Sequence, residues 1–238
     1  MRWNITWKET TGSTNQDLLD AARTGVGEGE VVVSEYQSGG RGRFDRSWVA
    51  PPKATLATSL LLTPKTPIRR WPWLPLLTGV AVADTVAELG LAPELKWPND
   101  VMLGGKKLCG ILVEVEHLAS GPAAVVGIGL NTAMTSDELP VPTATSLAIA
   151  GAKFDEHELV DSMLSHLGGY YEQWVSGADV RPAYLNRCAT IGREVRVIVT
   201  ETESYEGTAE GIGENGELIV RVDGHPMTFT AADVLHLR

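Results

Sequence analysis

The chain has 238 residues, 43% of them hydrophobic and 21% charged, which is enough for one large domain and one small one around packed cores. Its formal net charge of −10 argues against a general nucleic-acid binder, because affinity for a phosphate backbone needs clustered cations. Two cysteines, Cys109 and Cys188, form neither a CxxC pair nor a disulfide framework. His117, His157, His166, His225 and His236 show no zinc-ligand spacing beside a cysteine. No signal-peptide core follows Met1-Arg2-Trp3-Asn4, and the apolar runs at 56–62 and 74–83 are too short or too interrupted to span a bilayer. A cytoplasmic protein with no membrane partner is therefore expected.

In chain order, the first predicted element is a helix over residues 14–23. Ser13 or Thr14 can cap it, Asp17 faces the free N–H groups of its first turn, and Leu18, Leu19 and Ala22 form its apolar stripe. Residues 31–33 read as a buried strand, followed by a Gly- and Arg-rich loop at 38–48 and a second strand at 54–62. Helical spacing returns at 74–89, where Pro72 and Pro75 are tolerable only in a first turn. A short strand at 94–97 stops at Pro98, and strands at 111–116 and 123–128 pair across Ser120-Gly121-Pro122. Residues 155–175 form a long amphipathic helix with Leu159, Met163, Leu164, Leu167 and Trp174 inward and His157 and His166 solvated. After a change of character near 182–192 come short strands at 195–199, 206–212, 218–222 and 226–230. Asn215-Gly216 and Asp223-Gly224 read as type I′ hairpin turns. The division expected is an α/β domain over 1–187 and a small β-barrel over 188–238.

Four segments carry chemistry. Gly39-Gly40-Arg41-Gly42-Arg43-Phe44-Asp45-Arg46-Ser47-Trp48 interleaves glycines, which let backbone approach a ligand, with arginines. Up to Lys53 its local charge is +3 in an acidic chain. Exposed N–H groups and guanidinium forks suit a polyphosphate, although a solvated basic loop has the same composition. Lys96-Trp97-Pro98-Asn99-Asp100 followed by Gly104-Gly105-Lys106-Lys107 reads as a hairpin that holds Lys107 beside Asp100, or as a plain turn with surface lysines. Gly127-Ile128-Gly129-Leu130-Asn131 allows close backbone approach, with Asn131 offering an amide oxygen to a ligand or metal; it is not a dinucleotide fingerprint. No segment is a P-loop. Thr11-Gly12-Ser13-Thr14-Asn15 with Gln37 supplies neutral polar groups, or simple helix capping.

In this order the segments resemble the biotin protein ligase family. Its signatures stand here as Gly-Ser-Thr-Asn at 12–15, Glu-Tyr-Gln at 35–37, Gly-Arg-Gly-Arg-x-x-Arg-x-Trp at 40–48, Lys-Trp-Pro-Asn-Asp at 96–100, Lys-Leu-Cys-Gly-Ile-Leu-Val-Glu at 107–114 and Gly-Ile-Gly-Leu-Asn at 127–131. The resemblance implies an α+β fold, a mixed sheet with flanking helices followed by an SH3-like β-barrel. It implies formation of biotinyl-5′-AMP from biotin and ATP with Mg²⁺, then transfer of biotin to a lysine of a biotin carboxyl carrier domain. Ser13, Thr14, Asn15 and Gln37 would meet the ureido ring and Trp48 the valeryl tail, with Gly40, Gly42 and Gly110 lining the site. Arg41, Arg43, Arg46 and Lys107 would gather the anions, Asp100 would orient or deprotonate the acceptor amine, and Asn131 would help place the metal. By resemblance the final Arg238 is a candidate to reach ATP.

The first signature begins near residue 10, so the resemblance is to a catalytic-only form without the helix-turn-helix domain of many relatives, and operator binding is not expected. Monomer and homodimer both remain open. The rival reading is a lipoate ligase or octanoyl transferase of the same fold, which generally lacks the Gly-Arg-Gly-Arg loop; a non-catalytic binding module would not need a phosphate site.

Overall fold

The computed structural model describes residues 1–44 and 46–237; Asp45 and Arg238, and with Arg238 the reach toward ATP expected of it, lie outside the described residues. Seven strands make the first sheet: β1 (Asn4–Lys8), β2 (Glu30–Ser34), β3 (Thr55–Leu62), β4 (Pro93–Lys96), β5 (Asp100–Leu103), β6 (Lys106–Leu118) and β7 (Gly121–Asn131), in the order β1-β2-β3-β7-β6-β5-β4. Only β1 and β2 run parallel; every other neighbouring pair is antiparallel, which makes the sheet mixed as expected. The long strand β3 is buried along its whole length because both of its faces are covered. Leu56, Leu60 and Leu62 point into the main core with helices α2 (Trp73–Glu88) and α3 (Glu156–Val175). Leu61 points the other way and packs with Leu18, Leu19 and Ala22 of α1 (Thr14–Arg23). Strand alternation thus separates a helix-packed face from a face that only α1 and the loops cover.

The helices form where their termini are provided for. Ser13 is the N-cap of α1, its side chain accepting from Gln16 N–H, and Asp155 caps α3 by accepting from His157 and Glu158. Pro72 and Pro75 fall at the start of α2. The five apolar residues expected inward on α3 are all buried. His166 is less solvated than its spacing predicts: its Nε2 lies 2.8 Å from Glu88 Oε1 across the α2–α3 seam.

The C-terminal part is a five-stranded antiparallel sheet consistent with an SH3-like domain. Its strands are β8 (Glu194–Ile198), β9 (Ser204–Ile212), β10 (Leu218–Val222), β11 (His225–Phe229) and β12 (Asp233–His236), in the order β11-β10-β9-β8-β12. The Asp223-Gly224 turn is as expected: both residues have positive φ, 48° and 80°, and Val222 pairs with His225. The Asn215-Gly216 turn is not. Ile212 pairs with Leu218, only Gly216 has positive φ, and Glu217 folds back to accept from Asn215 N–H at 2.7 Å. The longer loop aims two carbonyls at tryptophans of the first domain, where Trp73 Nε1, at the start of α2, donates to Glu214 at 2.8 Å and Trp97 Nε1, between β4 and β5, to Gly216 at 3.1 Å. A short helix, α4 (Arg181–Leu185), precedes the join; it and strands β1, β5 and β12 are absent from the sequence reading. Each is four or five residues long, too short for periodicity to show.

His236, on β12, meets Thr190 Oγ1 at 3.1 Å. Burial, with Lys96 and Arg193 nearby, pushes its imidazole down from 6.5 to about 4. Folding therefore favours the neutral ring: the contribution is complete above pH 6.5 and is lost as the pH falls toward about 4. Urea unfolding at pH 7, 5.5 and 4 should show His236→Gln losing less stability on acidification than the unmodified chain. Parallel losses would remove His236 from the acid response.

Candidate active site

The site follows from strand register. Ala57 of β3 pairs with Gly129 of β7, Gly129 with Gly110 of β6, and Gly110 with Asp100 of β5. One row across the α1-side face is therefore small at every position until it ends in a carboxylate. The next row pairs Ser59 with Gly127 and Gly127 with Leu112. Three glycines leave a floor with no side chains, and other residues occupy the space. A Cβ on Gly129 would stand 2.7 Å from the Trp48 ring, and one on Gly127 would stand 2.2 Å from Asn15 Oδ1. Gly40 is just as constrained, since a Cβ there would meet Trp48 O at 2.5 Å.

Above this floor lies a cavity of about 400 Å³. Ser13, Thr14, Asn15, Gln37, Arg41, Gly42, Arg43, Arg46, Trp48, Asp100, Lys107, Gly110 and Asn131, all singled out in the sequence, line it together. Gly40 sits beneath Trp48, whose N–H donates to Gly40 O at 2.9 Å. The neutral polar groups cluster at one end. Gln37 Oε1 accepts from Thr14 N–H at 2.8 Å, and the Thr14 and Ser59 hydroxyls meet at 2.6 Å.

Lys107, Arg43 and Arg46 gather around Asp100 and Asp233, Arg41 stands beside Asn15 through Glu114, and each cation has an oxygen partner. Lys107 Nζ lies 2.6 Å from Asp100 Oδ1, held there by the two-residue Gly104-Gly105 turn, whose φ values are both positive. Arg41 pairs with Glu114 at 3.0 Å. Arg43 donates to Asn99 Oδ1 at 3.3 Å and Ala232 O at 3.1 Å and faces Asp233, while Arg46 pairs with Asp233. Burial pushes the Arg43 guanidinium below its ordinary value, with Asp233 and Asp100 opposing the shift; it stays a cation. Asn131 donates to Thr145 O at 2.9 Å and keeps its buried Oδ1 without a protein partner, as does Trp48 at Nε1. Among the described residues no cluster of three His, Cys, Asp or Glu side chains could hold a metal.

Three contributors escaped the sequence reading. Asp233 comes from β12, far along the chain, with no local signal. Residues 140–144 reach the cavity because Lys107 N–H donates to Thr143 O at 2.7 Å and Thr145 N–H to Lys107 O at 2.9 Å. Asn99 stood inside a recognised segment, and its turn position facing Arg43 gives it the role.

The Biotin/lipoate A/B protein ligase family model matches residues 7–131, which contain every strand of the floor. The Biotin protein ligase C terminal domain model matches residues 190–237, the second sheet.

The chain belongs to the biotin protein ligase family.

It is 39% identical, over 96% of its length and 87% of the relative's, to the biotin--[acetyl-CoA-carboxylase] ligase of Mycobacterium tuberculosis. It is 32% identical to the corresponding ligase of Paracoccus denitrificans, covering 94% of this chain and 97% of that one. Among solved structures, the Aquifex aeolicus biotin protein ligase in complex with biotin and ATP superposes with a TM-score of 0.83 at 25% identity, covering 98% and 99% of the two chains. The Leishmania major ligase in complex with biotinyl-5-AMP has the same fold, with a TM-score of 0.66. No helix among the described residues is long and apolar enough to cross a membrane.

The glycine floor makes a graded prediction. Asn15 is fixed by helix α1 and by side-chain partners, whereas Trp48 rides on a loop. Gly127→Ala should therefore cost more than Gly129→Ala in urea-measured stability, each about 1–3 kcal/mol as overpacking. The reverse order would show that the loop, not Asn15, is the rigid neighbour.

Proposed function

We propose that this cavity joins biotin to ATP as biotinyl-5′-AMP, releasing pyrophosphate, and then passes the biotinyl group to a lysine amine of a biotin carboxyl carrier domain, releasing AMP. The observation that carries the reading is the polarity of the cavity: a neutral hydrogen-bonding end at Ser13, Thr14 and Gln37, bordered by the Arg41–Glu114 pair, and a three-cation end at Arg43, Arg46 and Lys107, over one bare floor.

The neutral end suits a ureido ring, which brings one acceptor and two donors and no charge. Trp48, over Gly129 and Gly110, gives the valeryl chain an apolar wall. The carboxylate then reaches the cationic end, where it must meet a phosphate of like charge. Attack of a carboxylate oxygen on the α-phosphorus forms the acyl phosphate bond and expels pyrophosphate. Arg43, held beforehand by Asn99 and Ala232, and Lys107 stabilise the charge that builds there. Lys107 can turn from Asp100 to the incoming anions, and this frees Asp100 to orient the acceptor amine and take its proton in the second step. Asn131 Oδ1, buried and unpartnered, fits Mg²⁺ held mainly by phosphates, an ion that would neutralise departing pyrophosphate. The sheet ranges and the two matched segments support a division into a catalytic domain over 1–187 and a C-terminal domain over 188–238.

Biotin-dependent exchange of labelled pyrophosphate into ATP tests the first step. Lys107→Ala should keep its circular dichroism spectrum and lose about 10²–10³-fold in exchange rate. Near-normal exchange in that variant, or exchange with lipoate in place of biotin, would contradict the assignment.

A further inference from the structure

The neutral end of the cavity is not autonomous: a single carboxylate organises it. Glu114 Oε2 accepts from Asn15 Nδ2 at 2.7 Å and from Arg41 at 3.0 Å. A carboxylate only accepts, so the Asn15 amide is fixed with its nitrogen toward Glu114 and its oxygen toward β3. There Ser59 Oγ gives its one proton to Asn15 Oδ1 at 2.6 Å. With that proton spent, the 2.6 Å contact between Ser59 and Thr14 hydroxyls can form only with Thr14 as donor. The Thr14 proton thus points back into the protein, to Ser59 or to Gln37 Oε1 at 3.1 Å, and its lone pairs face the cavity. Gln37 Oε1 is already taken by Thr14 N–H, which leaves the Gln37 Nε2 donors for a ligand. Polarity is thereby set outward from Glu114: acceptor at Thr14, donor at Gln37, the complement of a ureido N–H and C=O.

Asn15 itself has its amide turned into the protein, with its second Nδ2 hydrogen near Leu112 O at 3.5 Å. Its place is fixed further by Gly127, where any Cβ would strike its Oδ1.

We propose that Glu114 is a positioning residue for biotin recognition, fixing the donor and acceptor sense of the ring site through Asn15 and Ser59 and tying the arginine loop over that site through Arg41. This rests on the biotin ligase reading above. Glu114 touches neither reacting centre; it acts on the ring site by way of Asn15 and on the loop by way of Arg41.

The test is steady-state pyrophosphate exchange with varied biotin and saturating ATP, on the full chain and three variants. Asn15→Asp sets two carboxylates against each other and should raise the KM for biotin about tenfold or more. Its kcat at saturating biotin should stay within about threefold. Combining Asn15→Asp with Glu114→Gln swaps donor and acceptor across the same gap and restores the ring-site bond at the expense of the Arg41 pair, which shares that Glu114 oxygen; part of the lost affinity should return. Glu114→Ala should also raise the KM for biotin while keeping its circular dichroism spectrum. A double variant no better than Asn15→Asp, or an unmoved KM in Glu114→Ala, would overturn the proposal. Absence of biotin-dependent exchange in the unmodified chain would defeat the ligase reading itself, and this proposal with it.

Discussion

Four cations facing one patch of sheet is the constraint on which the rest of this structure depends. Like charges brought together repel, and at short range in a partly desolvated cleft the repulsion is worth several kcal/mol. The chain answers with three carboxylates from three strands: Asp100 from β5 for Lys107, Glu114 from β6 for Arg41, and Asp233 from β12 for both Arg43 and Arg46. None of these pairs needs to stabilise the fold greatly, since half-exposed ion pairs contribute little. What they do is hold the cations in place around the cavity.

The architecture serves that arrangement. Register places Gly129, Gly110 and Asp100 in one row, so the bare floor and the carboxylate beside Lys107 come from a single set of strand pairings. A one-residue slip of β6 would turn Gly110 into the helix-packed core and Ile111 into the cavity. The C-terminal sheet is tied to helix α2 and to the turn between β4 and β5 by the tryptophan–carbonyl bonds at Trp73 and Trp97, and Asp233 stands within reach of the loop. Two separated stretches of sequence therefore build one electrostatic site.

How much of this was legible beforehand depended on the range of the signal. Helix α1 carried its own cap and stripe, and the Gly-Arg loop its own composition, so both could be read locally. The Lys107–Asp100 pair was legible because a two-residue turn separates their strands. Asp233 was not, since nothing near it in sequence announces a partner nearly 190 positions away. Asn15 was legible as a site residue but not in its orientation. Whether its amide faces the ligand or the protein is decided by Glu114 and Ser59, which reach it only through the folded sheet. Strands β1, β5 and β12 were missed because tertiary pairing, not pattern, makes them strands.

The central claim is chemical: this cationic cleft joins a carboxylate to the α-phosphate of ATP and then surrenders the acyl group to an amine. Mass spectrometry of the products from the purified chain with biotin, ATP and Mg²⁺, before and after addition of a biotin carrier domain, tests it most directly. Biotinyl-5′-AMP and pyrophosphate should appear first, and AMP with a biotinylated lysine on the carrier after its addition. ADP and phosphate, or a carrier left unmodified while biotinyl-5′-AMP persists, would contradict it.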